Sequence, residues 1–129
     1  MIRPRRAGPP LALLLAALLA LAPAAGAQEQ VAEGTGALLR GLDKMTGETT
    51  DLRLPSGKAT RYGRIIVSVE DCRYPTGNPA GNAFAHVTVW NEQGTGAPLF
   101  SGWMIAGSPA LNALDHPRYD VWVLRCITS

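Results

Sequence analysis

From residue 37 onward, apolar positions fall in short runs at a spacing of two, broken by glycine, proline and asparagine, with little sustained 3.6-residue periodicity. Ala37 to Met45 carries Leu38, Leu39 and Leu42 and stops at Thr46-Gly47. Thr49 to Leu54 sets Thr50, Leu52 and Leu54 on one face, with Asp51 and Arg53 on the other. Arg61 to Tyr74 contains Ile65-Ile66-Val67-Ser68-Val69, the richest β-branched stretch of the chain. The segment PTGNPAGN (75–82) is a loop that no helix or strand would hold. Ala83 to Trp90 alternates cleanly, with Ala85, Val87 and Val89 against Phe84, His86, Thr88 and Trp90. After a second turn segment (91–98), Leu99 to Ala106 and Tyr119 to Ile127 are nearly continuous apolar runs. Such runs predict strands covered on both faces.

One helical signal interrupts this pattern. Ser108 is a candidate N-cap before Pro109, Leu111 and Leu114 lie at i and i+3, and Asp115-His116-Pro117 ends the segment. These elements predict an all-β domain: a compact antiparallel β-sandwich or small barrel of about six strands with one short helical connection.

The beginning of the chain has a different character. Arg3, Arg5 and Arg6 precede twelve residues of only Leu and Ala (Leu11 to Ala22), followed by the small-residue site Ala25-Gly26-Ala27. This is the layout of a secretory signal peptide cleaved after Ala27. A membrane-spanning helix needs roughly 17–25 apolar residues, so no stable membrane insertion is expected after cleavage. The chain thus divides into a signal peptide (1–27), a polar, glycine-containing flexible lead-in (28–36) and a single β-rich domain (37–129). The location expected is the periplasm. Removal of the signal takes three of the twelve basic residues and leaves nine against ten acidic ones, a net charge of −1. No basic stripe remains to follow a phosphate backbone, so no nucleic-acid partner is expected.

Export also bears on Cys72 and Cys126. Oxidising compartments favour pairing, and two is an even count, so an intrachain bridge is expected. Closing a loop of that size stabilises the fold by about 4 kcal/mol in the chain-entropy model. Two inert buried thiols and a metal–thiolate site are the alternatives.

Three stretches carry a resemblance: LRGLDKMTG (39–47), the segment from Tyr62 to Cys72, and FSGWMIAGSPALNALDHPRYDVWVLRC (100–126). From Leu38 to Cys126 the chain resembles a bacterial envelope family known as domain of unknown function 2155. The resemblance implies an exported, β-rich domain of Gram-negative bacteria and no established activity. The chain departs from the family at PTGNPAGN, a segment that is longer, more acidic and richer in proline in the family.

Candidate chemistry is sparse. Asp115 and His116 with Ser101 or Ser108 supply the residue types of a hydrolytic triad, but no nucleophile-elbow pattern surrounds either serine. No catalytic residues are assigned. His86, His116, Met45 and Met104 show no metal-ligand spacing, so neither a metal nor a cofactor is expected. Six of the eight aromatics follow residue 83. Phe100, Trp103 and Trp122 are expected in the core of the last two strands, while Trp90 or Tyr119 could stack on a partner or a sugar ring. The reading is therefore a non-catalytic binding module of the cell envelope. Its expected partner is an envelope protein, met by the 106–120 connection and its neighbours through Trp90, Ser108, Asp115, His116 and Tyr119. A glycan or peptidoglycan-binding accessory module is the alternative reading, and a small hydrolase a more distant one.

Overall fold

The structure is a computed structural model and describes residues 30–129. The expected signal peptide (1–27) and its expected cleavage site at Ala25 and Ala27 lie outside the described residues. Among those described, eight strands form: β1 (Val31–Glu33), β2 (Gly36–Asp43), β3 (Thr49–Pro55), β4 (Lys58–Tyr62), β5 (Ile65–Pro75), β6 (Phe84–Asn91), β7 (Phe100–Ile105) and β8 (Tyr119–Ile127). They make two antiparallel sheets. One has the order β3-β2-β8. The other runs β1-β5-β6-β7, with β4 also pairing along β5. The inner faces meet in a sandwich core that includes Leu39, Leu52 and Val123 from one sheet and Ile65, Val67, Val87, Val89 and Met104 from the other.

Two strands go beyond the six expected. β1 lies within the segment expected to be a flexible lead-in; Val31, Ala32 and Glu33 pair with Pro75, Tyr74 and Arg73. β4 is split from β5 by the turn at Gly63 and Arg64. There Gly63 takes φ +55°, as a two-residue hairpin requires at its first central position. Both added strands are short and mostly exposed, so neither has the buried alternation by which strands are recognised.

Strands β7 and β8 also differ from expectation. Their burial alternates, so each is covered on one face only. Trp122 and Phe100 are half-buried and Trp103 is 39% exposed, which places none of the three wholly in the core. The apolar outward positions account for the continuous appearance of these runs in the sequence.

The two cysteines form an inter-sheet disulfide, Cys72–Cys126, with a Cα–Cα distance of 5.7 Å. Their inward orientation depends on two β-bulges. In β5, Val67 and Val69 face the core, and simple alternation would turn Asp71 inward. The register shifts between Val69 and Asp71, so Glu70 is an extra residue and Cys72 faces in. In β8, Val121 and Val123 face the core, and Leu124 is the extra residue that brings Cys126 inward. A bulge adds one residue on one strand and so reverses which parity points to the core.

Candidate functional site

The connection from β7 to β8 contains a single 3-10 turn, Pro109–Leu111. Ser108 makes no side-chain cap, and Asn112 is already extended (φ −150°, ψ 103°), so the helix ends after one turn. The i, i+3 relation of Leu111 and Leu114 is lost with it. Leu114 is 5% exposed and closes the core, while Leu111 is 74% exposed.

What fixes the connection is a set of polar contacts at its end. His116 Nδ1 accepts hydrogen bonds from the backbone N–H of Arg118 (3.0 Å) and Tyr119 (3.1 Å). An Nδ1 that accepts places the ring proton of neutral His116 on Nε2. The Lys44 ammonium donates to the His116 carbonyl. Arg118 donates from Nε and Nη2 to the Asp43 carboxylate, at 3.3 and 3.0 Å to Oδ2. That bond holds the Asp43 carboxyl below its ordinary range, with amide donors from the adjacent turn adding to it against some desolvation. Tyr119 is 3% exposed, and its hydroxyl accepts from the Arg64 N–H at 3.1 Å. Its ring lies so close to Gly63 that any side chain there would collide with it.

The expected interaction residues are therefore dispersed in role. Tyr119 is core, and His116 holds the corner through backbone amides. Asp115 and Ser108 are exposed, and Trp90 is half-buried on the outer face of β6. The hydroxyl of Ser101 meets Thr88 Oγ1 at 3.3 Å and His116 turns to the backbone, so the triad residue types are not assembled. Among the described residues no group of three or more His, Cys, Asp or Glu side chains could hold a metal ion.

Two features emerge that the sequence pattern did not single out. The first is a groove of about 310 Å3 lined by Pro109, Ala110, Ala113 and Leu114 on one side and by Asp120, Val121 and Trp122 on the other. Three consecutive strand residues point to alternating faces, so a groove that touches all three runs along the edge of β8. β2 pairs with one edge of β8, and among the described residues no strand pairs with the other. The connection ties itself to β7 instead: Asn112 Nδ2 donates to the Trp103 carbonyl at 2.9 Å.

The second is on the outer face of the larger sheet. His86 lies directly across from Trp103, and the two rings meet edge-on with centroids 5.3 Å apart. The Arg73 guanidinium sits 5.1 Å from the indole centroid, and its Nε donates to Asp71 at 3.0 Å. His86 Nδ1 lies 3.1 Å from Glu70, the bulged residue of β5, which also accepts from the Ser68 hydroxyl at 2.7 Å. Glu70 is penalised by partial burial, yet the donors Ser68, Thr88 and His86 outweigh that and hold its carboxyl below the ordinary value. The visible signal was the outward phase of His86 and the polar phase of Ser68 and Thr88, which puts Trp103, opposite His86, on the solvent side.

Among the described residues, no helix is long and apolar enough to cross a membrane. The chain is similar to the uncharacterized protein RP359 of Rickettsia prowazekii (strain Madrid E), 24% identical over 87 residues. That match covers 66% of this chain and 56% of the relative, so the chain spans little more than half of that protein's length. No solved structure matches. A family model described as an uncharacterized protein conserved in bacteria matches residues 37–126, the sandwich from β2 to the second cysteine without β1, and the chain belongs to that family, domain of unknown function 2155.

Proposed function

We propose that this protein is an exported, periplasmic interaction module without catalytic chemistry, and that it holds another envelope protein by taking up an extended apolar segment along the free edge of β8. The observation that carries this reading is the groove between the 109–114 segment and Asp120–Trp122. A bare strand edge offers unpaired N–H and C=O groups, and an added strand satisfies them while its alternate side chains enter the flanking pocket. Natural proteins usually cover or charge such an edge; here the connection covers β7 and leaves β8 beside an apolar wall. The inter-sheet disulfide and the arginine-rich, short apolar leader support export.

The test is photocrosslinking in living cells from a probe at Ala113, an exposed position on the groove wall. A discrete protein adduct is expected in the periplasmic fraction. Ala113→Arg should fill the groove, leave thermal unfolding unchanged, and abolish capture by a second probe at Trp122. No adduct from either position, or the same adducts in Ala113→Arg, would sink the proposal.

A further inference from the structure

The Trp103 cluster is on the outer face of the other sheet, and nothing in the groove reading requires it. Trp103 is the largest side chain that this face leaves exposed. Ile105, two residues along β7, and Phe84 opposite it are half-buried on the same face, but the groups that meet the indole itself are polar. They are hydrogen-bonding groups carried on rigid strands: Arg73 and His86 against the indole, with Asp71, Glu70 and Ser101 beside them.

Both carboxylates of this cluster are already hydrogen-bonded within it. Asp71 has Arg73, and Glu70 has His86 and the Ser68 hydroxyl. Arg73 is already paired with Asp71, so an anionic ligand would meet carboxylates and no free cation. Each carboxylate nevertheless keeps a lone pair or more to spare, since it can accept about four hydrogen bonds while Asp71 uses one and Glu70 up to three. Arg73 likewise has guanidinium N–H groups beyond the one given to Asp71. A flat, partly exposed ring rimmed by acceptors and donors, with no free cation, matches an uncharged molecule with an apolar face and a girdle of hydroxyls. That is the surface of a pyranose sugar.

We propose that Trp103 and its neighbours His86, Arg73, Asp71, Glu70 and Ser101 form a carbohydrate-binding platform for a neutral pyranose chain. The sugar's C–H face lies on the part of the indole that Arg73 and His86 leave open. Its hydroxyls donate to Asp71 and Glu70 and accept from Arg73. The bulge at Glu70 is what brings a second carboxylate to this row, since an unbroken strand would place only one residue opposite His86.

The experiment follows the three indole N–H signals of the mature, oxidised protein by NMR during titration with an N-acetylglucosamine oligomer, a β-glucan oligomer and a maltooligosaccharide. The signal of Trp103 should move with one of them, at a dissociation constant on the order of 1 mM or tighter, while Trp90 and Trp122 stay in place. Trp103→Ala should weaken binding about tenfold, followed then by backbone amides, as expected for loss of one aromatic contact. Trp103→Phe should restore part of it. Because truncation of Trp103 also removes packing from the sheet, Ser101→Arg is the second variant: it leaves the indole in place, blocks the platform, and should abolish binding with an unchanged melting curve. No response to any of the three sugars overturns the proposal. So does movement of Trp90 or Trp122 in place of Trp103, or binding that survives both Trp103→Ala and Ser101→Arg. An apolar peptide that shifts Trp103 where no sugar does would make this face a protein site and also overturn it.

Discussion

At the scale of single residues, the 107–119 connection separates side chains that hold shape from those that meet solvent. Leu114 and Leu111 have the same chemistry three positions apart, yet one closes the core and the other projects from it. Leu114→Ala should cost about 2–5 kcal/mol, the usual range for a buried leucine. Leu111→Ala should change stability by no more than about 0.5 kcal/mol. Denaturant unfolding of the two variants checks the contrast, and equal losses would mean that the turn packs differently. Asp43 gives a second prediction at this scale. Its carboxyl is held low chiefly by Arg118, so the folded state favours the ionised form. Its contribution is present above the ordinary aspartate value of about 3.9 and is lost as pH falls through the lower folded-state value. Melting temperature measured from neutral pH down to acid should therefore fall on the acid side. The fall should be shallower in Asp43→Asn, which starts lower at neutral pH because Arg118 has lost its partner.

At the scale of elements, the sequence shows strands well where one face is buried and poorly elsewhere. β3 and β6 are legible because one face packs on the opposite sheet, whereas β2 also turns Leu38 and Leu42 outward, and the sequence pattern runs β5 together with part of β4 as one segment, Arg61 to Tyr74. β1 and β4 are not legible, since they are held by main-chain pairing to β5 and expose most side chains. For β7 and β8 the error was one of inference. Trp103, Ile105 and Trp122 are apolar but outward, so composition suggested two covered faces where the fold supplies one. The two recognition features were hidden for a related reason. The groove depends on where a one-turn helix ends, and the Trp103 cluster depends on register across three strands. The bulges, in contrast, left a trace. Val67 and Val69 are at odd positions and Cys72 at an even one; Val121, Val123 and Cys126 repeat the mismatch. If both cysteines face one core, each strand must contain an extra residue. Deleting Leu124 tests this directly. The deletion removes the extra residue and restores plain alternation, with Val123 in, Arg125 out and Cys126 in, so the variant should still form the bridge and show no alkylatable thiol. A deletion variant with two free thiols would show that Leu124 is not the extra residue of β8.

At the scale of the whole molecule, the disulfide is the one covalent cross-link, among the described residues, that the side chains make between the two sheets. It joins positions 54 residues apart and closes most of the described chain into one loop. In the chain-entropy model, closure of such a loop restricts the unfolded ensemble by about 4 kcal/mol, against a total of roughly 5–15 kcal/mol for a domain of this size. The sandwich has only a thin core to set beside that. Its outer faces carry half-buried aromatics, its β1 and β4 strands bury little, and its largest connection spends its polar groups on self-ordering. The consequence differs between compartments. In an oxidising one the bridge forms and the fold is stable; in a reducing one about a third or more of the net stability is absent from the start. Cys126→Ser should therefore unfold at a denaturant midpoint well below that of wild type. Wild type made without residues 1–27 in a reducing cytoplasm should match the variant until it is oxidised. The groove and the Trp103 face lie on opposite sides of the bridge's influence, since β8 bears one and the β5–β6–β7 sheet the other. Proteolysis of the reduced protein should begin in the β7–β8 connection, which spans the two sheets, and should spare the β5–β6 pairing. Cleavage that starts instead within β5 or β6 would show that the sheets do not separate first when the tie is lost.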